Sequence, residues 1–583
     1  MKSDSRALRI AIAFALPCVA LLCAHALFDP VYRTSDDPTM LLIAAGEAYA
    51  DQPSPYLIFS NHVWGTVLAF FYAWVPAVPW YGLFQLVVQL GANATLVYVA
   101  LGKRISVGRL MAIAGYLLVF DMLMSARPHF TLTASIAGIA AIVLLWDRFS
   151  GPDGLGPARW TMFVVLWATS AAIRHESAVL VYLLSAPPAL VPLVQAWRSG
   201  GMRQAMRKVA APMLVAAGIV ASFHGYNLVR YHTPDWREFI ETGPSIGSIL
   251  DFSSTGSTRM QTWQRFPDGA TRLHEVRHPP EVYRAAADGP GWTENELHML
   301  MEWFYADAEL YSLDQIERFL KRIGKPPPDG SAPFAPLRSD PNLYLLVAAL
   351  VVGWSSRRFD PRDAVQLGLL ALAALGITAY VDFGLHRLVS WVYEPIFAML
   401  GWSILAVGRE RPLVSSDLVW FVTRALAMGL LLAFLLPAGV RIAGESATTT
   451  AHREVFMESV RDLNANVEHL YVSWATSFPL ELLGPFDDLE PFRDLNVYSA
   501  GAATNGGHNR RLLRRFGITD IYQAIYRDPR VSVISQPRQN RVLKGFVRER
   551  YGTETVAERI ESYATEGHRM FEVYRFSAVP APE

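Results

Sequence analysis

Charge is scarce in this chain: 18% of its 583 residues are Asp, Glu, Lys or Arg, against roughly a quarter in an average soluble domain. With 52% hydrophobic residues, that deficit excludes a chain bathed in water on every face. Net charge is missing too. The 52 basic and 52 acidic side chains cancel to +0, so no global field attracts nucleic acid, and charge arguments must be local. Cys18 and Cys23 are the only cysteines. They lie five residues apart in one apolar stretch, on helix faces too distant for a bridge, and fix no redox compartment. No Walker loop, dinucleotide fingerprint, zinc-spaced Cys/His set or nucleophile elbow stands in a convincing context, so nucleotide-driven transport and serine hydrolysis lose most of their support. No internal repeat is visible.

What the chain has is long apolar runs. Stretches able to span, or nearly so, lie at about 7–28, 80–101, 109–126, 130–147, 160–178, 179–197, 209–229, 341–356, 363–381, 388–408 and 417–438, giving about eleven crossings. Residues 1–28 also resemble a signal peptide, with Lys2, Arg6 and Arg9 ahead of an apolar run ending Ala24-His25-Ala26. The run is long enough to cross, and we read it as the first transmembrane helix. Basic clusters at Lys103/Arg104/Arg109, Arg148/Arg159, Arg198/Arg203/Arg207/Lys208, Arg357/Arg358/Arg362 and Arg409/Arg411 then share one side with the amino terminus, which the positive-inside rule assigns to the cytoplasm.

Residues 61–78 are apolar enough to cross, yet counting them as a span inverts every later basic loop. They read as a segment that enters from outside without crossing, broken by Asn61 and His62 at its start and by Pro76 and Pro79 at its end. The expected fold is mainly α: a polytopic transmembrane helical bundle with an outer loop domain and a C-terminal α/β domain. Its parts are an N-terminal transmembrane module over 1–229 with a first outer loop at 29–60, a large outer loop over 230–340, transmembrane helices over 341–438, and a soluble outer domain over 439–583. The large loop has a Gly/Ser/Thr-rich stretch from Gly243 to Thr258 and a helical pattern from Thr293 to Ile323, opened by a Thr293/Glu296 capping box. The tail carries strand patterns at Leu470–Trp474, Val531–Ile534 and Met570–Phe576.

The strongest local signal is Thr34-Ser35-Asp36-Asp37-Pro38, just outside the first span and followed by an amphipathic segment, Met40 to Tyr49. Adjacent carboxylates at a membrane surface serve as a general base or as oxygen ligands for a divalent cation, Mg or Mn; an Asx-type turn in which Asp37 caps the next helix is the competing reading. Arg127-Pro128-His129 and Arg174-His175-Glu176 fall at outer helix ends. Ionisable groups there are functional candidates, against a snorkelling arginine for the first and a helix-linking ion pair for the second. His386 and Arg387, at another outer end with Glu394-Pro395 following, suit a phosphate or meet lipid headgroups. His62 is a substrate-binding candidate or a loop hydrogen-bonder. Trp292, Trp303, Phe304, Tyr305 and Tyr311 with Glu302, Asp307 and Glu309 make an aromatic and acidic surface that suits sugar rings, or a helix packed on the membrane domain.

The acidic pair Asp36-Asp37 behind the first helix, the outer segment after it, about eleven spans and a soluble tail resemble the GT-C class of membrane glycosyltransferases, which includes the protein O-mannosyltransferases and the lipid A aminoarabinose transferase. Arg387 ahead of Pro395 looks like the outer-loop arginine that contacts the carrier phosphate in several members, and Gly291-Trp-Thr-Glu-Asn-Glu-Leu is similar to uncharacterised bacterial proteins of the class. The resemblance implies a polyprenyl-phosphate-linked sugar as donor, a glycan, lipid or protein acceptor, and a bacterial cytoplasmic membrane with the N-terminus inside and the C-terminal domain outside. It implies Asp36 or Asp37 as base or cation ligand, with Arg387, Arg127 and Arg174 on the leaving phosphate and Glu176 orienting His175 or pairing with Arg174. The rival classes are a lipid or polysaccharide transporter, which would place its ionisable groups near the bilayer midplane, and a non-catalytic envelope scaffold.

Overall fold

The computed structural model describes residues 2–102, 107–149, 156–237, 239–240, 263–265, 271–273, 341–355, 357–384, 388–407, 409–410, 418–474, 477–501, 504, 506–565 and 568–580. The expected Thr293–Ile323 helix, the aromatic surface around Trp303, the Gly243–Thr258 stretch, His386 and Arg387 lie outside the described residues.

Each of the eleven apolar stretches is helical over most of its described residues, the one at 160–178 being broken at Arg174. The N-terminal half holds α1 (Lys2–Leu27), α2 (Asp36–Ala45), α3 (His62–Trp74), α4 (Trp80–Leu101), α5 (Val107–Ala126), α6 (Phe130–Phe149), α7 (Pro157–Ile173), α8 (His175–Ala205) and α9 (Ala211–Tyr231). After the large loop come α10 (Pro341–Ser355), α11 (Pro361–Ala379), α12 (Ser390–Val407) and α13 (Leu418–Asn464). Among the described residues, eight helical stretches are long and apolar enough to cross a membrane, one of them running from His175 to Tyr231 through α8 and α9. The 17 residues of α7 and 15 of α10 reach only about 25 Å and 22 Å at 1.5 Å per residue, short of a hydrocarbon core of roughly 30 Å.

Helix α6 is the hub of the bundle: 94% of its apolar window is buried, against α4, α7, α8 and α12. An all-round apolar helix buried in protein rather than in lipid suits its Ala-rich middle, Ala134 to Ala141. By contrast α1 and α11 keep only 22% of their windows covered, leaving their apolar sides for lipid. The thirteen residues of α3, capped by the Asn61 side chain on the Val63 N–H, reach about 20 Å, short of a hydrocarbon core of roughly 30 Å.

The tail begins within α13, a 47-residue helix whose length of about 70 Å carries it well beyond a bilayer, so the expected boundary at 438/439 falls inside one continuous element. Beyond it lie β1 (Leu470–Trp474), β2 (Val497–Ala500), α14 (Gly507–Phe516), α15 (Ile521–Arg527), β3 (Val531–Ser535), α16 (Pro537–Tyr551), β4 (Thr555–Thr565) and β5 (His568–Ala578). The sheet order is β2-β1-β3-β5-β4, with β1 parallel to β2 and β3, and β5 antiparallel to β3 and β4. The expected strands at 470–474, 531–534 and 570–576 all belong to it. Parallel neighbours require crossovers, and α14 and α15 supply the one from β2 towards β3.

One expectation fails instructively. The sequence predicts an amphipathic segment from Met40 to Tyr49, yet Met40 through Ala45 are all buried. The reason is the tail, which covers α2 with Phe456, Phe478, Leu480 and Leu483 in one shared core. Backbone bonds join the two: Tyr32 N–H to the Leu483 carbonyl at 3.2 Å, Ala48 N–H to Phe492 at 3.1 Å and Val497 N–H to Ala48 at 3.2 Å. Arg453 on α13 pairs with both Asp29 and Asp487. First loop and tail therefore form one layer on a single side of the bundle.

Candidate functional site

Chain geometry brings the first loop over the ends of α4 and α6. Asp37, in the first turn of α2, is fully buried. Its Oδ1 accepts from Gln85 Nε2 at 2.8 Å, Tyr81 Oη at 3.0 Å and the Phe130 backbone N–H at 3.1 Å. The expected alternative, Asp37 as a helix cap, is thereby replaced: its donors come from α4 and α6, not from α2. Burial, the largest influence, pushes the Asp37 carboxyl up to about 8, against Gln85, Tyr81 and Phe130, which favour the anion. At neutral pH it is held mostly protonated. Its neighbour Asp36 is half-buried on the same turn, so only one member of the pair faces outward.

Phe130 links the acidic turn to the second triplet. The Arg174 guanidinium lies 4.8 Å over the Phe130 ring, and its Nη1 donates to Thr131 Oγ1 at 2.7 Å. Arg174 sits between α7 and α8 in extended conformation, φ −154° and ψ 107°, which projects it across the start of α6. Glu176 stands 3.7 Å from Arg174 and 3.4 Å from His175 Nδ1, and is itself largely exposed. The other nitrogen of His175 lies 3.1 Å from His224 Nδ1 on α9. Arg174, His175 and Glu176 thus act as one group at the mouth of the bundle.

His129 is 1% exposed, stacked between Phe130 and Trp391 at centroid distances of 4.9 and 5.3 Å. Its Nδ1 accepts the Thr131 N–H at 3.1 Å, which leaves the proton of the neutral ring on Nε2. Burial first, then Arg174 and Arg33, hold this ring well below its ordinary pKa. Nε2 has no hydrogen-bond partner among the described residues. A buried orphan donor beside two guanidinium groups is a place for an oxygen-rich ligand.

Two candidates go elsewhere. Arg127 faces Glu445 on α13 at 3.4 Å, in a pair open to solvent. His62 opens α3, with its ring edge-on to Tyr56, Tyr226 and Tyr231 and Arg230 Nε 3.4 Å from its Nε2; burial and Arg230 lower it to about 4. It belongs to an aromatic seam joining α3 and α9, a short way along α9 from His224.

Several site residues escaped the sequence reading. Arg33 forms a two-pronged pair with Glu394 on α12, and Trp391, one turn earlier, covers His129. Tyr81, Gln85, Gln89 and Asn93 recur every fourth residue along α4, and all are buried. Gln89 Nε2 donates to Thr133 Oγ1 at 2.9 Å. A polar stripe at helical spacing inside an apolar run was the available signal, because such groups stay in a membrane only when paired.

Three donors crowd Asp37 Oδ1, whereas Oδ2 receives only the Phe130 N–H at 3.4 Å. Among the described residues no group of three or more His, Cys, Asp or Glu is set to hold a metal ion. No protein-family model matches the chain, and no curated protein is significantly similar to it in sequence.

Proposed function

We propose that this membrane protein transfers a sugar from a polyprenyl-phosphate donor to an acceptor hydroxyl at the outer face of the membrane. The observation that carries the reading is the joining of Asp37, Phe130 and Arg174: one aromatic residue receives the acidic turn on its backbone and a guanidinium on its ring. The turn that presents Asp36, two cations and an orphan imidazole N–H therefore meet where α2, α6, α8 and α12 come together. These groups lie at helix ends rather than at mid-bundle, which favours a transferase over an ion-coupled transporter.

Roles follow from burial. Asp36 takes the proton of the acceptor hydroxyl as its oxygen bonds to the anomeric carbon. The bond from that carbon to the phosphate oxygen breaks, and the polyprenyl phosphate leaves with the electron pair. Arg174 and the His129 Nε2–H stabilise the charge that develops there. Asp37, neutral and held by its donors, anchors the turn that presents Asp36. Glu176 steadies Arg174 and His175. Arg387 is a further phosphate contact by resemblance alone.

The test uses purified protein and a panel of radiolabelled polyprenyl-phosphate sugars. Asp36→Asn should abolish label transfer by on the order of a hundredfold or more while the melting temperature holds. Asp37→Asn should keep most of it. Transfer lost in Asp37→Asn but kept in Asp36→Asn would reverse the assignment. No transfer from any donor would move the weight to a transporter or scaffold.

A further inference from the structure

At the end of the bundle far from Asp36, a groove of about 940 Å³ opens between the end of α8, the turn into α9 and the start of α11. Arg198 lies 23 residues beyond His175, about 35 Å along the helix, so this groove and the site above belong to opposite sides. The chain turns here at Gly200 and Gly201, which leave helical geometry; Gly201 has φ +72°, a conformation that favours glycine.

The chemistry of the groove is divided. Arg198, Lys208 and Arg362 line one end, with Gln195 and Ser199 adding polar groups. Leu190, Val194 and Val365 form the other wall, and each is open on its outer side, at 53%, 39% and 56% exposure. Among the described lining residues there is no carboxylate. Asp360 and Asp363 form the capping box that starts α11 and do not line the groove.

We infer that this groove holds an anionic phospholipid of the leaflet opposite the carboxylate site, its phosphate among Arg198, Lys208 and Arg362 and an acyl chain along Leu190, Val194 and Val365. Charge complementarity selects the headgroup: three cations with no lining carboxylate favour a lipid of net negative charge over a zwitterion. The exposed aliphatic wall selects a lipid over a soluble anion, because free phosphate gains nothing from it. Such a lipid bridges the α8 and α11 sides of the groove and fastens the two helices.

Native mass spectrometry of the full chain in detergent tests this, with phosphatidylglycerol or phosphatidylcholine of identical chains titrated in. Wild type should retain phosphatidylglycerol preferentially and gain several degrees of melting temperature from it. Arg198→Gln with Arg362→Gln should weaken that binding on the order of thirtyfold, at roughly fivefold per lost cation. Arg203→Gln with Arg207→Gln, in the same turn but off the groove, should bind as wild type does. If the first pair fails to fold, Val365→Trp, which blocks the apolar wall, should give the same loss. Equal retention of both lipids, wild-type binding by the Arg198/Arg362 pair, or equal losses from the two arginine pairs would each overturn the site. Displacement of the lipid by millimolar inorganic phosphate alone would make it a free-anion site and overturn the lipid.

Discussion

Arg33 and Glu394 stand 361 positions apart and meet as a two-pronged pair, Nη1 to Oε2 and Nη2 to Oε1, both at 2.8 Å. The guanidinium side chain is 15% exposed and the carboxylate 4%. One belongs to the first loop and the other to α12, two turns from the end where His386 and Arg387 lie in sequence. The pair therefore fixes the roof of the site to its wall, and it holds Arg33 in a set place beside His129.

Breaking such a pair from one side leaves a charge buried without its counterpart. Glu394→Met or Arg33→Met alone should lower stability by about 3–5 kcal/mol. The double variant should recover much of the loss, since two apolar side chains replace two desolvated ions. A double-mutant cycle on thermal unfolding in detergent checks this; additive losses would show that the two groups do not act as a pair.

Asp37 makes a prediction with a definite pH sign. Its pKa near 8 in the folded chain lies above the unfolded value of about 3.9, so between those values the folded state holds a proton that the unfolded state has released. Its contribution to stability is then complete below about pH 4 and is lost as pH rises through 8. Asp37→Asn mimics the neutral acid, matches wild type only near pH 4, and should already exceed it at pH 6 and by more at pH 9. Asp37→Ala strands the Tyr81, Gln85 and Phe130 donors and should be destabilised at both, by about 1–3 kcal/mol per unmet donor. Melting temperatures of the three proteins across pH 4–9 decide it.

The bundle could be read from sequence because its signal is local: each apolar stretch declares a helix within its own twenty residues, and α4 begins and ends at the expected Trp80 and Leu101. The strands at 470–474 and 531–534 were legible for the same reason. What escaped was long-range. Nothing near Met40 announces that Phe456 and Leu483 will cover it, and nothing near Arg33 names Glu394. Asp36-Asp37 and Arg174 could be singled out as costly groups at helix ends, yet the donors that hold Asp37 come from Tyr81 and Gln85, 44 and 48 residues away. Reading Gln85 with Gln89 as a paired polar face would have exposed α4 as a wall of the site.

Acid should loosen the contact between tail and first loop. His508 is buried, with Nε2 3.1 Å from the Tyr56 carbonyl and Nδ1 3.0 Å from Arg511 Nη2. A guanidinium only donates, so Nδ1 must accept and Nε2 must carry the single proton. Burial, then Arg511, holds the ring down to about 3, below the unfolded value near 6.5. The unfolded chain thus binds more protons between those limits, and stability is lost as pH falls below 6.5. His469, lowered to about 4 by burial and Arg575, adds the same sign inside the tail. Protection factors at Tyr56 and α14, corrected for the intrinsic exchange rate at each pH, should fall between pH 6.5 and 5, and His508→Asn should flatten that dependence.

The last prediction concerns a tight backbone contact between tail and bundle. A Cβ on Gly82 would sit 2.1 Å from the Pro485 carbonyl oxygen and 2.8 Å from that residue's Cβ, inside contact with backbone that has no flexible end to move aside. Gly82 is one residue from Tyr81, which holds Asp37. Gly82→Ala must push the Pro485 loop away from α4 or shift α4 itself, and either motion disturbs the Asp37 donors. Gly91 lies nine residues further along the same helix with nothing within 4 Å of its added Cβ. Gly91→Ala should leave stability unchanged or raise it by about 1 kcal/mol through helix propensity alone. Gly82→Ala should instead lower it by about 1–3 kcal/mol and speed proteolysis of the tail. Equal behaviour of the two variants would mean that the tail does not rest on α4 through this contact.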